Sequence, residues 1–458
     1  MTQISGRFRL GLPLLAAGLA GSQSRIGRPN ILLITVDDLN TDLGCYGHPI
    51  VQSPNVDALA RRGVRFARAY AQYPVCNPSR TSFLSGRYPE TTGVLDNRTD
   101  PRVNLGGAPF LPGFLRKNGY FTARAGKIYH DGMDGAGDWD VALNPTPATK
   151  IGRTGEGRNL TGGKLPYLEA RAAEGTDEDQ PDGLIAAEAV RLIGQQREQP
   201  FFLAVGFRKP HDPYIAPKKY FEPYPMDKIA TVPGPAGDRA DIPTAAFPRL
   251  TEDLDQQSGR EFRRAYYACI SFMDAQVGKV MAALNGSPAA ANTLVVFLGD
   301  HGLHLGEHGW WNKVTLFERS AAVPFLVILP GTAHAGSVCH RPVELLSLFP
   351  SLCDFCGITP PAGLEGRSLT PLLANPDAPW TRPAYTVVSR GKGVMGRAIR
   401  TGRYAYIEWD EGRAGVELYD HSVDPHEYRN VTGNKDYQQA EGELKRMLAA
   451  ARPSGRTK

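Results

Sequence analysis

One cysteine in this chain stands where it could do chemistry. Cys76-Asn77-Pro78-Ser79-Arg80, continuing to Leu84-Ser85-Gly86-Arg87, places a thiol at the mouth of a short helix. Asn77 suits the N-cap, Pro78 the first helical position and Gly86 the stop. A helix N-terminus carries unpaired N–H groups and positive potential, so an anion is stabilised beside Cys76. Arg80, one turn on, adds a planar charged fork suited to oxyanion oxygens. A thiol phosphatase is disfavoured, because its C-x5-R loop needs arginine at position 82, where Ser82 stands.

A second set of residues could hold a metal. Asp37 and Asp38 end one apolar run, and Asp300 ends another. On a strand the two adjacent side chains would point to opposite faces, so the chain must turn there to bring both to one ion. Three carboxylates beside an anionic substrate repel one another without a cation. Oxygen-rich ligation of this kind suits Ca²⁺ or Mg²⁺ rather than Zn²⁺.

The elements that must position these groups are short and apolar. Asn30–Val36 runs into Asp37-Asp38, and Tyr120–Ala123 into Gly126-Lys127-Ile128-Tyr129-His130. Phe201–Val205 runs into Arg208-Lys209-Pro210-His211, and Leu294–Leu298 into Gly299-Asp300-His301-Gly302. Such runs, with helical patterns between them, predict the central strands of a mostly parallel sheet. Ligand sites form at the carboxyl ends of such strands. The shared placement of the polar clusters, together with the Cys76 helix, predicts one active site. Ile270, Met273, Val277, Met281 and Leu284 keep helical spacing over 261–284, and a second helix is expected over 54–62, capped by Ser53 and stopped by Gly63.

The chain has 458 residues, 41% of them hydrophobic, enough for one large domain and a smaller one. The expected division is a catalytic domain over 28–375 and a small α+β subdomain over 376–458, where 398–407 and 415–419 alternate like antiparallel strands and a polar helix covers 436–450. Residues 144–182 read as a surface insertion, partly disordered. The net charge of +5 comes without a Lys/Arg block, which argues against a nucleic-acid partner. Six cysteines are too few for a disulfide scaffold. Cys353 and Cys356 sit in the apolar run 345–358 and read as core packing, with a disulfide as the alternative in an exported protein. Arg7 and Arg9 ahead of Leu10–Ala20 match a short signal peptide within 1–27, which predicts a periplasmic or secreted protein, the alternative being cytoplasmic. No stretch is long enough to span a membrane.

The pattern C-x-P-S-R-x-x-x-L-S-G-R, twelve positions in register, resembles the signature of the type I sulfatases, whose cysteine is oxidised after synthesis to formylglycine (3-oxoalanine) by a sulfatase-maturing enzyme. The alternative, a buried cysteine ahead of an ordinary helix, does not account for the whole motif. The resemblance implies an alkaline-phosphatase-like α/β fold, with a large mixed, mostly parallel sheet sandwiched by helices. It also implies a metal, usually calcium with magnesium as the alternative, held by Asp37, Asp38, Asp300, His301 and the modified Cys76. Many sulfatases have Asn where this chain has His301; the D-H form is similar to the iduronate-2-sulfatase branch. Gly126–His130, Lys209-Pro210-His211 with Pro213, and the block from Gly299 through Trp311-Asn312-Lys313 resemble the same branch. His304 and His308 read as structural.

By that resemblance the side chain at 76, as a hydrated aldehyde, attacks the sulfur of a sulfate ester. Lys127, Arg80, Lys313 and the metal stabilise charge on the sulfate oxygens. His211 or Lys313 protonates the departing alcohol, and His130 takes the proton that lets sulfate leave. The expected substrate is a sulfated sugar, with 2-O-sulfate on a uronate of glycosaminoglycan type in the lead. The alternatives are a phosphonate or phosphate ester hydrolase of the same superfamily, a choline or other small-molecule sulfatase, and a non-catalytic sulfatase-like binding protein.

Overall fold

The computed structural model describes residues 28–453 apart from 136, 233, 249–253 and 392; the expected signal peptide lies outside the described residues. In chain order the first elements are β1 (Asn30–Val36), α1 (Pro54–Ala60), β2 (Val64–Tyr70) and α2 (Cys76–Ser85). Then come α3 (Pro89–Thr92), α4 (Leu111–Lys117), β3 (Phe121–Gly126), β4 (Val141–Leu143), β5 (Gly155–Asn159) and β6 (Glu169–Ala173). They are followed by α5 (Pro181–Ile193), β7 (Phe201–Phe207), β8 (Tyr214–Pro217), α6 (Gln256–Asn285) and β9 (Thr293–Gly299). Next are α7 (Glu318–Ala321), β10 (Ala322–Ile328), β11 (Val338–Cys339), β12 (Val343–Glu344), α8 (Leu348–Cys356) and α9 (Thr370–Ala374). The last are β13 (Ala384–Ser389), β14 (Met395–Arg400), β15 (Tyr404–Trp409), β16 (Gly415–Asp420) and α10 (Gln438–Ala451).

The large sheet runs β11-β2-β10-β9-β1-β7-β3-β4, with β12 also on β2. β9, β1, β7, β3 and β4 are parallel, and β10 is antiparallel to both its neighbours. The period of two in β1 explains the sandwich. Leu32 and Ile34 pack with α5 and α6 on one face, while Ile31 and Leu33 pack with α2, α4 and α8 on the other. Both faces are covered, so the central strands read as unbroken apolar runs. Among the described residues no helix is long and apolar enough to cross a membrane.

Several expectations change. The strand expected over 120–123 begins at Phe121 and continues to Gly126. α1 stops at Ala60, and the Ser53 hydroxyl donates to Asp57 instead of capping the helix. The insertion at 144–182 is ordered: β5 and β6 form a hairpin, and β6 adds in parallel to β8. Its polar composition hid the anchors Leu160, Leu168, Ala170 and Ala173, all buried. Cys353 and Cys356 are buried free thiols in α8, which ends on Gly357.

The strands β13 to β16 form a separate antiparallel sheet that packs with α10. Its buried Arg400 donates Nε to Glu318 (3.0 Å) and a second N–H to the Leu316 carbonyl. Glu427 accepts the Glu318 N–H at 2.6 Å and pairs with His421 at 2.9 Å. Removing Arg400 takes a donor from the partly exposed Glu318 and from the buried Leu316 carbonyl. Arg400→Ala is therefore expected to destabilise the fold by roughly 1–3 kcal/mol, read as a lower denaturant midpoint. An unchanged midpoint would remove this anchor.

Candidate active site

The functional side chains gather where the carboxyl ends of β1, β3, β7 and β9 meet the first turn of α2. Asp38 has φ of 60°, a left-handed conformation that residues other than glycine adopt rarely. This is the turn that the adjacent pair requires. It brings an oxygen of Asp37 and one of Asp38 into a group with Cys76 Sγ and a His301 nitrogen, all within 4.8 Å of one another. The conformation is held from two sides. Asp38 donates its N–H to Asp300 Oδ1 (3.0 Å), and Tyr266 of α6 donates its hydroxyl to the Asp38 carbonyl (2.7 Å).

Glycine at 126 is a steric need. Its φ is 81°, and a Cβ there would come within 2.2 Å of the Gly206 carbonyl. The turn delivers Lys127, whose Nζ lies 2.6 Å from Asp37 Oδ2. Lys313 reaches in from the other side, 2.5 Å from Asp38 Oδ1 and 3.4 Å from Cys76 Sγ. His301 Nε2 is 3.3 Å from that sulfur and 3.3 Å from Asp38 Oδ1.

Cys76 is the first residue of α2, two positions earlier than the expected start, after an extended Val75. Asn77 does not cap. Its side chain donates to the carbonyls of Asp96 (2.9 Å) and Thr99 (2.8 Å), tying down the loop beside the helix. Pro78 falls third in the helix, still within the turn whose N–H groups have no intrahelical partner. The whole of α2 is buried, so the thiol is enclosed by protein.

Arg80 departs most from expectation. Burial obliges its charge to find partners within the protein. Nε bonds Asp300 Oδ2 (2.8 Å), one terminal nitrogen bonds Asp37 Oδ1 (3.2 Å), and the other bonds the carbonyls of Lys127 (2.7 Å) and Ile128 (3.0 Å). That uses four of the five N–H groups of a guanidinium, so the fork orders the site's own carboxylates and Lys127 instead of standing open to a substrate. Asp300 is consumed likewise by Arg80 and the N–H groups of Asp38 and His301, and its Oδ1 stays 3.8 Å from His301 Nε2.

The electrostatics follow from this packing. Burial and the Asp37 carboxylate push the Cys76 thiol up, but Lys127, Lys313 and His301 outweigh them and hold it well below the ordinary thiol range. Asp37 is likewise held well below the carboxylate range against burial, by Lys127, His211, Arg80 and Lys313. Burial pushes Asp300 up to about 7. Burial opposes charge on His211, but Asp38 and Asp37 raise it to about 10.

The donor set fits a hard divalent cation. Two of the four atoms are carboxylate oxygens, an oxidised side chain at 76 would add a third oxygen, and the spread of 4.8 Å is about twice a Ca–O bond, so Asp37, Asp38, His301 and the side chain at 76 would hold such an ion. Here the Lys127 and Lys313 ammonium groups neutralise those oxygens. The Cys76 sulfur marks where an oxygen of an oxidised side chain would sit.

His211 lies at the edge, its Nε2 4.0 Å from Asp37 Oδ2. His130 carries a buried Nδ1 with no hydrogen-bond partner and is not in the group of four ligand atoms. His304 bonds Thr315 Oγ1 at 2.8 Å, and His308 pairs with Asp238 at 3.0 Å. The sequence reading passed over Asp212, whose backbone carbonyl lies 2.9 Å from His211 Nδ1 and holds that ring, with its Oδ1 also near at 3.1 Å. An acid directly after a candidate proton donor was the signal. It also passed over Ser79, which donates to the Asp300 carbonyl at 2.5 Å, and Tyr266, which looks like any core aromatic in a helical repeat.

Comparison with known proteins agrees with this geometry. The sulfatase family profile matches residues 29–358, and that of the N-sulphoglucosamine sulphohydrolase C-terminal region matches residues 306–454. A sulfatase of Formosa agariphila is 32% identical over 93% of this chain and 87% of its own length. Iduronate 2-sulfatase of Mus musculus is 34% identical over 78% of this chain and 73% of its own length. The phosphonate monoester hydrolase of Agrobacterium radiobacter superposes with a TM-score of 0.78 at 25% identity, covering 94% of this chain and 97% of that one. With its alkaline-phosphatase-like sheet and its enclosed cysteine among carboxylates and lysines, this chain belongs to the sulfatase family, the sulfuric ester hydrolases.

Proposed function

We infer that the protein hydrolyses a 2-O-sulfate ester on a uronate of a glycosaminoglycan-type saccharide, using an aldehyde made from Cys76 by a maturing enzyme and a Ca²⁺ or Mg²⁺ ion. The observation that carries this reading is the enclosed Cys76 at the start of α2, with Lys313 and His301 at 3.4 and 3.3 Å and the Asp37/Asp38 pair behind it. The name of the mouse relative supports the choice of sugar. Asp37, Asp38 and His301 would hold the ion, braced by Asp300, and the ion would supply Lewis-acid stabilisation of charge on sulfate oxygens. An aldehyde would supply a nucleophile that can release sulfate by elimination, which a thiol cannot.

The chain's own residues do the rest. Lys127 and Lys313 place two ammonium groups beside the reacting atom, in a buried site where charge is poorly screened. His211, held on Nδ1 by the Asp212 carbonyl and, against burial, favoured in its charged form by Asp38 and Asp37, can give its proton to the leaving alcohol. Arg80 keeps Asp37, Asp300 and the Lys127 backbone in register. His130, with its unpaired Nδ1, is the base assigned to release of sulfate.

A substrate panel tests the reading. kcat/KM on a 2-O-sulfated uronate disaccharide is expected to exceed that on an aryl sulfate by about a hundredfold, roughly 2.7 kcal/mol of transition-state binding. Preference for a 6-O-sulfated hexosamine, a sulfated galactan fragment or choline sulfate would overturn the choice of sugar. Preference for a phosphonate monoester would favour a second reading, which the likeness to the Agrobacterium enzyme motivates.

A further inference from the structure

The loop that ends in Lys313 has a second face. Gly306, His308, Gly309 and Trp311 line a cavity of about 710 Å³ together with the start of α6 and the segment around Arg239. That volume lies within the range of small-molecule sites, roughly 300–1,000 Å³. The half-buried Trp311 ring lies against two glycines. A Cβ at Gly259 would fall 2.6 Å from it and one at Gly306 2.7 Å, so a side chain at either position would displace it. Phe262 meets its edge at 5.6 Å and stiffens it further.

The charge beside this ring is positive. Arg260 and Arg263, one turn apart on α6, line the cavity together with Gly259. Their side chains are anchored to neutral groups: Arg260 Nε to the Ile229 carbonyl (2.9 Å), and Arg263 to the Ala230 carbonyl (2.5 Å) and the Tyr267 hydroxyl (2.9 Å). Among the described residues neither forms an ion pair, whereas nearby Asp238 is taken by His308 and Asp255 by the Ser258 N–H that it caps. Among the described residues the cavity therefore combines a fixed aromatic platform with two cations that form no ion pair. Its Trp311 wall is also close in sequence to the residue that touches Cys76. Trp311 is two residues from Lys313, at most about 7 Å of chain, and Lys313 Nζ touches Cys76.

We propose that this cavity is a binding site for an anionic saccharide, with a sugar ring stacked on Trp311 and its carboxylate or sulfate groups paired with Arg260 and Arg263. It rests on the sulfated-saccharide reading above and extends it to the part of the substrate beyond the scissile ester. The size, the aromatic floor and the planar donors all match such a ligand.

Titration of the full-length protein with an unsulfated chondroitin disaccharide, which cannot be turned over, tests the proposal by calorimetry and tryptophan fluorescence. The disaccharide is expected to bind, more weakly at high salt, and better than neutral cellobiose. Loss of a charge-assisted contact in Arg263→Gln is expected to weaken it by roughly ten- to a hundredfold, and Trp311→Leu by about tenfold. No measurable binding, equal binding of cellobiose, or a Kd within about twofold of wild type in Arg263→Gln overturns the site. Arg263 is only partly buried on the helix surface, so its variant decides the matter even where Trp311→Leu does not fold. Aryl sulfate turnover in the same preparations separates the two failures. Intact turnover with no effect of the variants on binding sinks this site alone, whereas saccharide binding without any sulfate ester turnover sinks the proposed reaction.

Discussion

Replacing Cys76 with alanine is expected to lower sulfate ester hydrolysis by a factor on the order of 10⁴ or more while leaving the fold intact. The effect is large because no neighbour can take over the role. Lys313 and His301 both face that one atom, and the surrounding carboxylates are engaged by Arg80, Lys127 and Lys313. The fold should survive because the change removes one atom from the first turn of a helix held by other contacts, including Ser79 and Asn77. Steady-state rates with a thermal midpoint within about 3 °C of wild type check both halves. A purified variant keeping about a tenth of the rate would remove the nucleophile from Cys76.

Stripping divalent ions with a chelator is expected to lower activity on the order of 10³-fold, with recovery in Ca²⁺ or Mg²⁺ and less in Zn²⁺. Two carboxylate oxygens crowd a buried space with Cys76 and His301, and oxidation of Cys76 would add a third hard oxygen. Binding to the folded state alone should also raise the thermal midpoint, with about 2.7 kcal/mol of added stability at a hundredfold excess over Kd. Stoichiometric zinc in fully active protein would sink the assignment.

How much of this was legible beforehand depended on how local each signal was. The central strands could be read because burial on both faces leaves unbroken apolar runs, and the acids at their ends could be read because ligands collect there. What the sequence could not reveal was contact across the fold. Arg80 looked free to meet a substrate, since nothing local shows that Asp37, Asp300 and two carbonyls close around it. Asn77 looked like a cap because its partners, the carbonyls of Asp96 and Thr99, belong to a loop with no periodicity. The strand β13 escaped notice because it is buried along nearly its whole length and shows no alternation of apolar and polar residues. The ordered hairpin in the insertion was hidden by a polar composition in which a few buried side chains do the packing.

The docking of the C-terminal sheet carries a consequence for how such a protein can be recombined. The strap from Lys313 to Glu318 is tied at one end to Pro74, just ahead of α2, through the Val314 N–H, and at the other to Arg400 and Glu427. A graft that exchanged the last quarter of the chain for that of a relative would thus import more than new surface loops. It would bring along the backing that sets where one ammonium group sits against the reacting atom. Turnover rate and substrate preference would then be inherited together from the donor, and a hybrid would have to be matched at Arg400 and Glu427 before its loops could be compared at all.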